Sequence, residues 1–172
     1  LLCRFPGSTV PRLLWLRTHF PVFSVFFMKI MGKDQNSMNL SEKKQALRSI
    51  LRAKRKALSP ASRQIASLKI AAQLFELSQN WPLCHIAGYC AMGSEADVMP
   101  LLARLQEAGH RLALPAIAED GLLFRSYLIN DPLQRGPLNT HEPFSTQALC
   151  QPDVILVPLL GFDDRLMRLG QG

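Results

Sequence analysis

The sequence lacks an apolar run that would cross a membrane, and it has few aromatic residues. The N-terminal apolar run, residues 20–28, is nine residues long, whereas a membrane-spanning helix needs about 20. Aromatic residues make up 8% of the chain and apolar residues 48%, which is ordinary for a globular protein. At 172 residues the chain is long enough for one domain with a core. No membrane partner is expected.

Metal-binding patterns are also missing. The four cysteines and four histidines are Cys3, Cys84, Cys90, Cys150, His19, His85, His110 and His141. The cysteines show no C-x-x-C or other ligand spacing, and the histidines form no cluster, so a zinc-type site is not indicated. We expect the cysteines to be reduced and partly buried, as in a cytoplasmic protein, and the histidines to be structural or exposed.

The positive charge is unevenly distributed. The formal net charge of +7 is made up of +4 in residues 1–34, +8 in residues 35–69 and −5 in residues 70–172. Because the excess is local, a general polyanion-binding surface is not implied, and no nucleic-acid partner is expected. One alternative stays open, in which the basic residues at 43–56 form a nucleic-acid-binding domain whose affinity weakens steeply with salt.

Residues 1–37 show no pattern of a folded element. They contain arginines but no acid before Asp34. A signal peptide is disfavoured because no small-x-small cleavage site follows the apolar run. An organelle transit sequence and translated upstream sequence are the other interpretations. We prefer the last, with Met38, Met28 or Met31 as the start, and predict a non-domain leader at 1–37 and a single domain at 38–172.

Helical patterns occupy three segments of the predicted domain. Ser41 is expected to cap a helix that reaches residue 57, and Ser59 with Pro60 should end it and start a second helix. Core stripes are predicted at Leu47, Ile50, Leu51 and Leu58 in the first helix, at Ile65, Leu68, Ala72 and Phe75 in the second, and at Leu101, Leu102 and Leu105 in a third helix over residues 97–108. The third helix should have Asp97 as its N-cap and stop at Gly109.

Four apolar strands alternate with these helices. They are predicted at residues 85–90, 111–114, 122–128 and 154–160. This alternation favours an α/β fold with a mostly parallel sheet covered on both faces. In such folds ligands bind beyond the carboxyl ends of the strands.

The C-terminal segment carries the clearest functional signal. An apolar run over residues 154–162 leads to Asp163, and Arg168, Gly170 and Gly172 follow. This pattern predicts a buried strand that delivers a loop whose bare backbone approaches an anionic ligand. Glu95 and Asp97 follow another predicted strand, so the acids and the Arg/Gly loop are expected to face one cleft.

These motifs resemble the 5-formyltetrahydrofolate cyclo-ligase (methenyltetrahydrofolate synthetase) family. Residues 152–172 are similar to its C-terminal signature of an apolar strand, a turn and RLGxG, although the GYYD half of the signature is missing. Lys44 with Arg48, the strand end at 89–92 followed by 95–97, residues 112–115, 123–125 and 142–143 appear in the family's order. The resemblance implies a monomeric, Rossmann-like three-layer α/β/α sandwich, of the type also found in CoA transferases.

The activity implied by the resemblance is ATP- and Mg²⁺-dependent closure of 5-formyltetrahydrofolate to 5,10-methenyltetrahydrofolate. ATP phosphorylates the formyl oxygen, and the N10 amine then attacks the activated carbon and expels phosphate. Phosphoryl transfer depends mainly on positioning and on neutralising phosphate charge. The implied ATP contacts are Lys44, Arg48, Arg168, Gly170 and Gly172, with Arg168 also catalytic. The other basic residues of the first helix, Arg52, Arg55 and Lys56, are interpreted as a solvated face.

The resemblance also assigns the folate and metal sites. Glu95, Asp97, Met92 and Glu142 are implied to line the folate pocket, where carboxylates accept hydrogen bonds from pterin N–H groups. Asp163 is assigned either to Mg²⁺ or to capping its own turn. A different phosphate-ligand enzyme of related topology, such as a sugar-phosphate isomerase, is the remaining alternative.

Three departures from the family pattern bear on activity. Leu166 and Met167 precede Arg168 where a glycine is usual, Val98 replaces a threonine, and the signature stops at Gly172. We therefore expect the Arg168–Gly172 loop to be poorly held and this chain to be weakly active or inactive as it stands.

Overall fold

The computed structural model describes residues 39–170, except 120, 164 and 166, together with the backbone of residues 2–4. Three α-helices and nine strands are assigned in this part of the chain, besides one turn of 3-10 helix at Pro137–Asn139. They are β1 (Leu2–Arg4), α1 (Leu40–Ala57), α2 (Pro60–Ser78), β2 (His85–Ala87), α3 (Met99–Glu107), β3 (Arg111–Ala118), β4 (Gly121–Tyr127), β5 (Leu133–Arg135), β6 (His141–Pro143), β7 (Val154–Leu156), β8 (Gly161–Phe162) and β9 (Arg168–Leu169).

Helix α1 begins at a capping box. The Asn39 side chain accepts a hydrogen bond from the Glu42 amide at 2.9 Å, and the Glu42 carboxylate accepts one from the Asn39 amide at 3.0 Å. These two bonds satisfy amide groups that have no partner within the first helical turn. The predicted cap, Ser41, was wrong by two residues, because asparagine followed three residues later by glutamate completes the box.

Helix α2 begins where predicted. Ser59 accepts a hydrogen bond from the Ser62 amide at 3.1 Å, and Pro60 is the first helical residue. Its predicted core stripe was wrong for Ile65 and Leu68, which are 55% and 50% exposed, whereas Phe75 is partly buried against the core as predicted. The buried residues are instead Ser67, Ala71 and Ser78, and their small side chains let the helix approach its neighbours closely. No residue of α1 is buried, so its predicted stripe is also not part of the core.

The main sheet has the strand order β1-β7-β2-β3-β4. Strands β7, β2 and β3 are parallel neighbours, whereas β4 pairs antiparallel with β3 and β1 antiparallel with β7. The predicted α/β fold with a parallel centre is therefore confirmed, and antiparallel strands form its edges. The β3–β4 pair is a hairpin through Gly121, which has a φ of 127°, a conformation that favours glycine.

The core lies between α3 and one face of the sheet. Leu101, Leu102 and Leu105 of α3 are at most 1% exposed, as predicted. They belong to one cluster with Ile86, Leu112, Leu114, Val154 and Leu156. Gly109, with a φ of 93°, ends the helix and turns the chain into β3. The core thus fixes the position of β2, whose carboxyl end leads to the loop at residues 88–98.

Some boundaries differ from the sequence prediction. Strand β2 ends at Ala87 and β7 at Leu156, whereas β3 continues to Ala118. Helix α3 begins at Met99, and its N-cap residue, Val98, makes no side-chain cap bond. Asp97 accepts a hydrogen bond from the Met99 amide at 2.9 Å, so it does hold the first turn from one position earlier.

The N-terminal segment contributes three residues to the described structure. Leu2–Arg4 pairs antiparallel with Val154–Leu156 at the edge of the sheet, which the sequence did not predict for the leader. The rest of residues 1–37 lies outside the described residues, and the division at residue 38 stays a prediction. Among the helices described, none is both long and apolar enough to cross a membrane.

Candidate active site

Two loops leave the same edge of the sheet. Because β2 and β7 are adjacent and parallel, the loop at residues 88–98 and the segment at 157–170 both begin at their carboxyl ends. This edge is where ligands bind in open α/β sheets. The strand order therefore places the start of both segments at one edge of the sheet, and the prediction that they face a single cleft stays a prediction.

The segment after β7 folds into a hairpin made of β8 and β9. Gly161 pairs with Leu169 and Phe162 with Arg168, and the Leu160 amide donates to the Leu169 carbonyl at 2.8 Å. This pairing fixes the backbone at Arg168, and the side chain of Arg168 is exposed to solvent. Gly172, the last predicted ATP contact, lies outside the described residues.

Asp163 caps the turn of this hairpin. Its Oδ1 atom accepts hydrogen bonds from the Arg165 amide at 2.9 Å and the Met167 amide at 2.8 Å. Of the two roles considered for Asp163, turn capping is therefore observed. No group of three or more metal-binding side chains occurs among the described residues, and the magnesium role of Asp163 stays a prediction.

Helix α1 packs against the hairpin and the residue after it through Arg48 and Leu51. The Arg48 Nε atom donates to the Gly170 carbonyl at 3.2 Å, and a Cβ atom at Gly161 would lie 3.2 Å from Leu51 Cδ1. Lys44 lies one turn before Arg48 and is exposed, so both side chains are on the same face of the helix. The structure thus brings together Arg48 and Gly170, which are 122 residues apart.

The loop at residues 88–98, called the acidic loop from here on, is held by hydrogen bonds between its own residues. Glu95 accepts a bond from the Met92 amide at 2.8 Å, and the Glu95 amide donates to the Met92 carbonyl at 3.2 Å. The Tyr89 hydroxyl donates to the Ala96 carbonyl at 2.9 Å. Met92 is 44% exposed, so its side chain stands at the surface of the loop. These bonds fix the acidic loop as a compact turn.

Glu95 and Asp97 line one pocket of about 260 Å³. The other wall is formed by α2 and by Pro100, with Arg63, Gln64, Ser67 and Leu68 on the helix. The Asp97 amide donates to the buried Ser67 hydroxyl at 3.0 Å, which ties the loop to α2. The pocket is therefore lined by two acidic residues on one side and by an arginine and a glutamine on the other.

Charged side chains surround the phenol group of Tyr89 in this loop. Burial raises the pKa of the Tyr89 phenol, the negative charges of Glu95 and Asp97 raise this pKa further, and the positive charge of Arg55 lowers it. Tyr89 therefore stays protonated at neutral pH and acts as a hydrogen-bond donor. Arg55 is half-buried and its Nε atom donates to the Ser94 hydroxyl at 3.0 Å, so its assignment to a solvated face was wrong.

Glu142 lies in a different environment from Glu95 and Asp97. It is 7% exposed, and it accepts hydrogen bonds from the Ile117 amide at 3.1 Å and from the Gln134 side chain at 3.4 Å. These contacts join β6 to the end of β3 and to β5. Glu142 is not among the residues that line the Glu95 pocket, and the contacts described are structural.

Sequence reasoning missed Arg55, Ser94 and the residues of α2 at the pocket. A signal for Arg55 was present, because it lies seven residues after Arg48 and shares its helical face. A signal for Ser67 was present as well, because it is a small polar residue within an apolar helix. Ser94 carried no signal, since a serine in a loop is common on any protein surface.

Comparisons with known proteins agree with this architecture. The model of the 5-formyltetrahydrofolate cyclo-ligase family matches residues 40–172. The 5-formyltetrahydrofolate cyclo-ligase of Escherichia coli K12 is 29% identical over 130 residues, which cover 72% of this chain and 71% of that protein.

Solved structures give the same result. The NMR structure of Aquifex aeolicus 5,10-methenyltetrahydrofolate synthetase superposes with a TM-score of 0.64 at 28% identity, covering 75% of this chain and 67% of that one. The synthetase of Mycoplasma pneumoniae, at 24% identity, shares the fold with a TM-score of 0.59 over 75% and 71% of the two chains. Because the family model matches residues 40–172, which include the acidic loop, the β8–β9 hairpin and α1, the chain belongs to the 5-formyltetrahydrofolate cyclo-ligase family.

Proposed function

We propose that the two loops and α1 form a single site for the ATP-dependent conversion of 5-formyltetrahydrofolate to 5,10-methenyltetrahydrofolate. The observation that carries the proposal is that one stripe of α1 contacts both loops. Arg48 bonds to Gly170 of the hairpin, and Arg55 bonds to Ser94 of the acidic loop. Membership of the family makes the chain a ligase of folate metabolism.

The hairpin side of the site takes the triphosphate. Lys44 and Arg48 supply positive charge from α1, and Arg168 supplies it from β9. The guanidinium of Arg168 donates two parallel hydrogen bonds to phosphate oxygens. The Gly170 backbone, with no heavy atom within 4 Å of a Cβ position, lets phosphate approach closely. Neutralising charge on the transferred phosphoryl group is the main catalytic task in such a reaction, and Arg168 is the catalytic candidate.

A Mg²⁺ ion bound beside the triphosphate would supply further neutralisation of phosphate charge in this site. Magnesium needs only one or two protein carboxylates when phosphates and water supply its other ligands, so the absence of a carboxylate cluster among the described residues does not conflict with it. Asp163 is the candidate carboxylate, and its Oδ1 atom already holds the turn.

The acidic-loop side of the site takes the folate. Glu95 and Asp97 accept hydrogen bonds from the amino and ring N–H groups of the pterin, and exposed Met92 offers an apolar contact at the rim. Glu142 acts from a distance by fixing the end of β3. We also propose a cytoplasmic location, in keeping with Cys84, Cys90 and Cys150, which are free thiols, and a monomer without nucleic-acid partners.

Substrate-selective variants test this assignment. In a chain extended past Gly172 by the family's GYYD residues, Lys44→Ala and Arg48→Ala are expected to raise the KM for ATP far more than the KM for 5-formyltetrahydrofolate. Each variant loses a charge-assisted contact of roughly 1.5–3 kcal/mol, about tenfold or more. Glu95→Gln and Asp97→Asn keep the shape of the loop and should weaken folate binding with ATP spared. Formation of the methenyl product is followed by its absorbance.

Lys56→Ala is the matched control for charge removal on α1. Lys56 is exposed on the same helix, and its removal should change neither KM. Equal effects of Lys44→Ala and Lys56→Ala, or equal changes in both substrates for every variant, would contradict the proposed division of the site.

A further inference from the structure

Arg55 of α1 is hydrogen-bonded to the central part of the acidic loop. Its Nε atom donates to the Ser94 hydroxyl at 3.0 Å across 39 residues of sequence. Both side chains are half-buried, so the bond is partly protected from water, which strengthens a charge-assisted hydrogen bond.

Ser94 lies inside the turn that positions Glu95. The Met92 amide donates to the Glu95 carboxylate, and the Tyr89 hydroxyl donates to the Ala96 carbonyl. These bonds close the turn on itself, but within this group the Arg55–Ser94 bond is the one that anchors it to α1. Movement of Ser94 would therefore carry Glu95 with it.

Helix α1 also sets the distance between the two loops. Arg48 and Arg55 are seven residues apart, and at a rise of 1.5 Å per residue their attachment points are about 10 Å apart along the helix axis. The helix is capped at its start and continuous from Leu40 to Ala57, so this separation is rigid. A transfer reaction between two bound substrates depends on such fixed separations.

We propose that Arg55 is a positioning residue, which through Ser94 holds the acidic loop on α1 at a fixed distance from the ATP-binding hairpin. This inference rests on the proposed function, since the distance matters only if both loops bind substrates. Arg55 itself does not contact the reacting atoms. Its loss leaves Asp97 tied to α2 through Ser67, but the turn that carries Glu95 is no longer held on α1 at a fixed distance from the phosphates.

A double-mutant cycle tests the bond. Arg55→Ala and Ser94→Ala each remove one partner, and each is expected to raise the KM for 5-formyltetrahydrofolate about three- to tenfold with the KM for ATP unchanged. The double variant should be no worse than either single variant. If Arg55 instead bound substrate directly, Arg55→Ala would be harmful and Ser94→Ala silent, which would overturn the proposal.

A second measurement is independent of turnover. Hydrogen exchange at the Met92 amide should accelerate in Arg55→Ala and in Ser94→Ala, because the turn loses its anchor, and should stay unchanged in the control Lys56→Ala. Unchanged exchange at Met92 in both test variants would also overturn the proposal. If the chain extended past Gly172 by the family's GYYD residues forms no methenyl product, the proposed function fails, while the exchange data still decide whether Arg55 anchors the loop.

Discussion

Replacing Gly88 with alanine should destabilise the protein by a steric clash in the core. Gly88 follows β2 directly, and a Cβ atom there would lie 2.5 Å from Leu102 Cδ1 and 3.1 Å from Leu102 Cγ. Ordinary carbon–carbon contacts are about 3.5–4.0 Å, so the leucine must move by roughly 1 Å. Leu102 is 0% exposed and belongs to the core cluster, so its movement must disturb other buried side chains.

The expected cost of this overpacking is about 1–3 kcal/mol. For a chain of this size, 1 kcal/mol lowers Tm by about 2–4 °C, so Gly88→Ala should lower Tm by roughly 2–12 °C. Thermal unfolding followed by circular dichroism gives the measurement. The matched control is Gly170→Ala, since a Cβ atom there meets no heavy atom within 4 Å, and its Tm should be unchanged.

A second substitution identifies the clash as the cause. Leu102→Ala alone should cost about 2–5 kcal/mol through the cavity it leaves. In the double variant the new methyl group has room, so Gly88→Ala should cost far less there than in the unmodified protein. An unchanged Tm for Gly88→Ala, or strictly additive costs, would refute the reasoning.

Two further predictions concern Asp163 and His110. Asp163→Asn keeps an Oδ1 acceptor for the Arg165 and Met167 amides and should raise the Mg²⁺ concentration needed for half-maximal turnover without lowering Tm; an unaltered requirement would leave Asp163 with its capping role alone. His110 is 6% exposed and its Nδ1 atom accepts from the Cys84 amide at 3.4 Å. Burial lowers the pKa of His110, so its stabilising contribution is present above pH 6.5, the ordinary histidine pKa, and is lost as the pH falls towards the lowered pKa. His110→Gln should weaken that pH dependence of the free energy of unfolding in urea titrations, and an identical pH profile would contradict it.

Local patterns predicted several elements correctly. The Ser59–Pro60 start of α2, the buried stripe of α3 and the stop at Gly109 all depend on residues within three or four positions of one another. The same holds for the RLG segment after an apolar strand, which indicated the family. Such signals depend only on neighbouring residues, so they can be recognised without knowledge of the rest of the chain.

Helix orientation was not predicted in the same way. Of the apolar stripe assigned to α2, Phe75 packs against the core, but Ile65 and Leu68 lie away from the buried face, where Ser67 and Ala71 pack instead. Small residues bury little apolar area but allow close approach, and which of two competing faces turns inward depends on the partner surface. The environment of Glu142 is a similar case, because its partner is an amide on β3, 25 residues earlier.

The sequence by itself determined the family, the α/β class and the identity of the charged residues, because these depend on composition and on short motifs. The tertiary structure alone decided which of those charges meet. Arg48 reaches Gly170 and Arg55 reaches Ser94 only because β2 and β7 are parallel neighbours whose following loops flank α1. Strand order and helix rotation are settled by packing of the whole core, and no segment of the sequence encodes them locally.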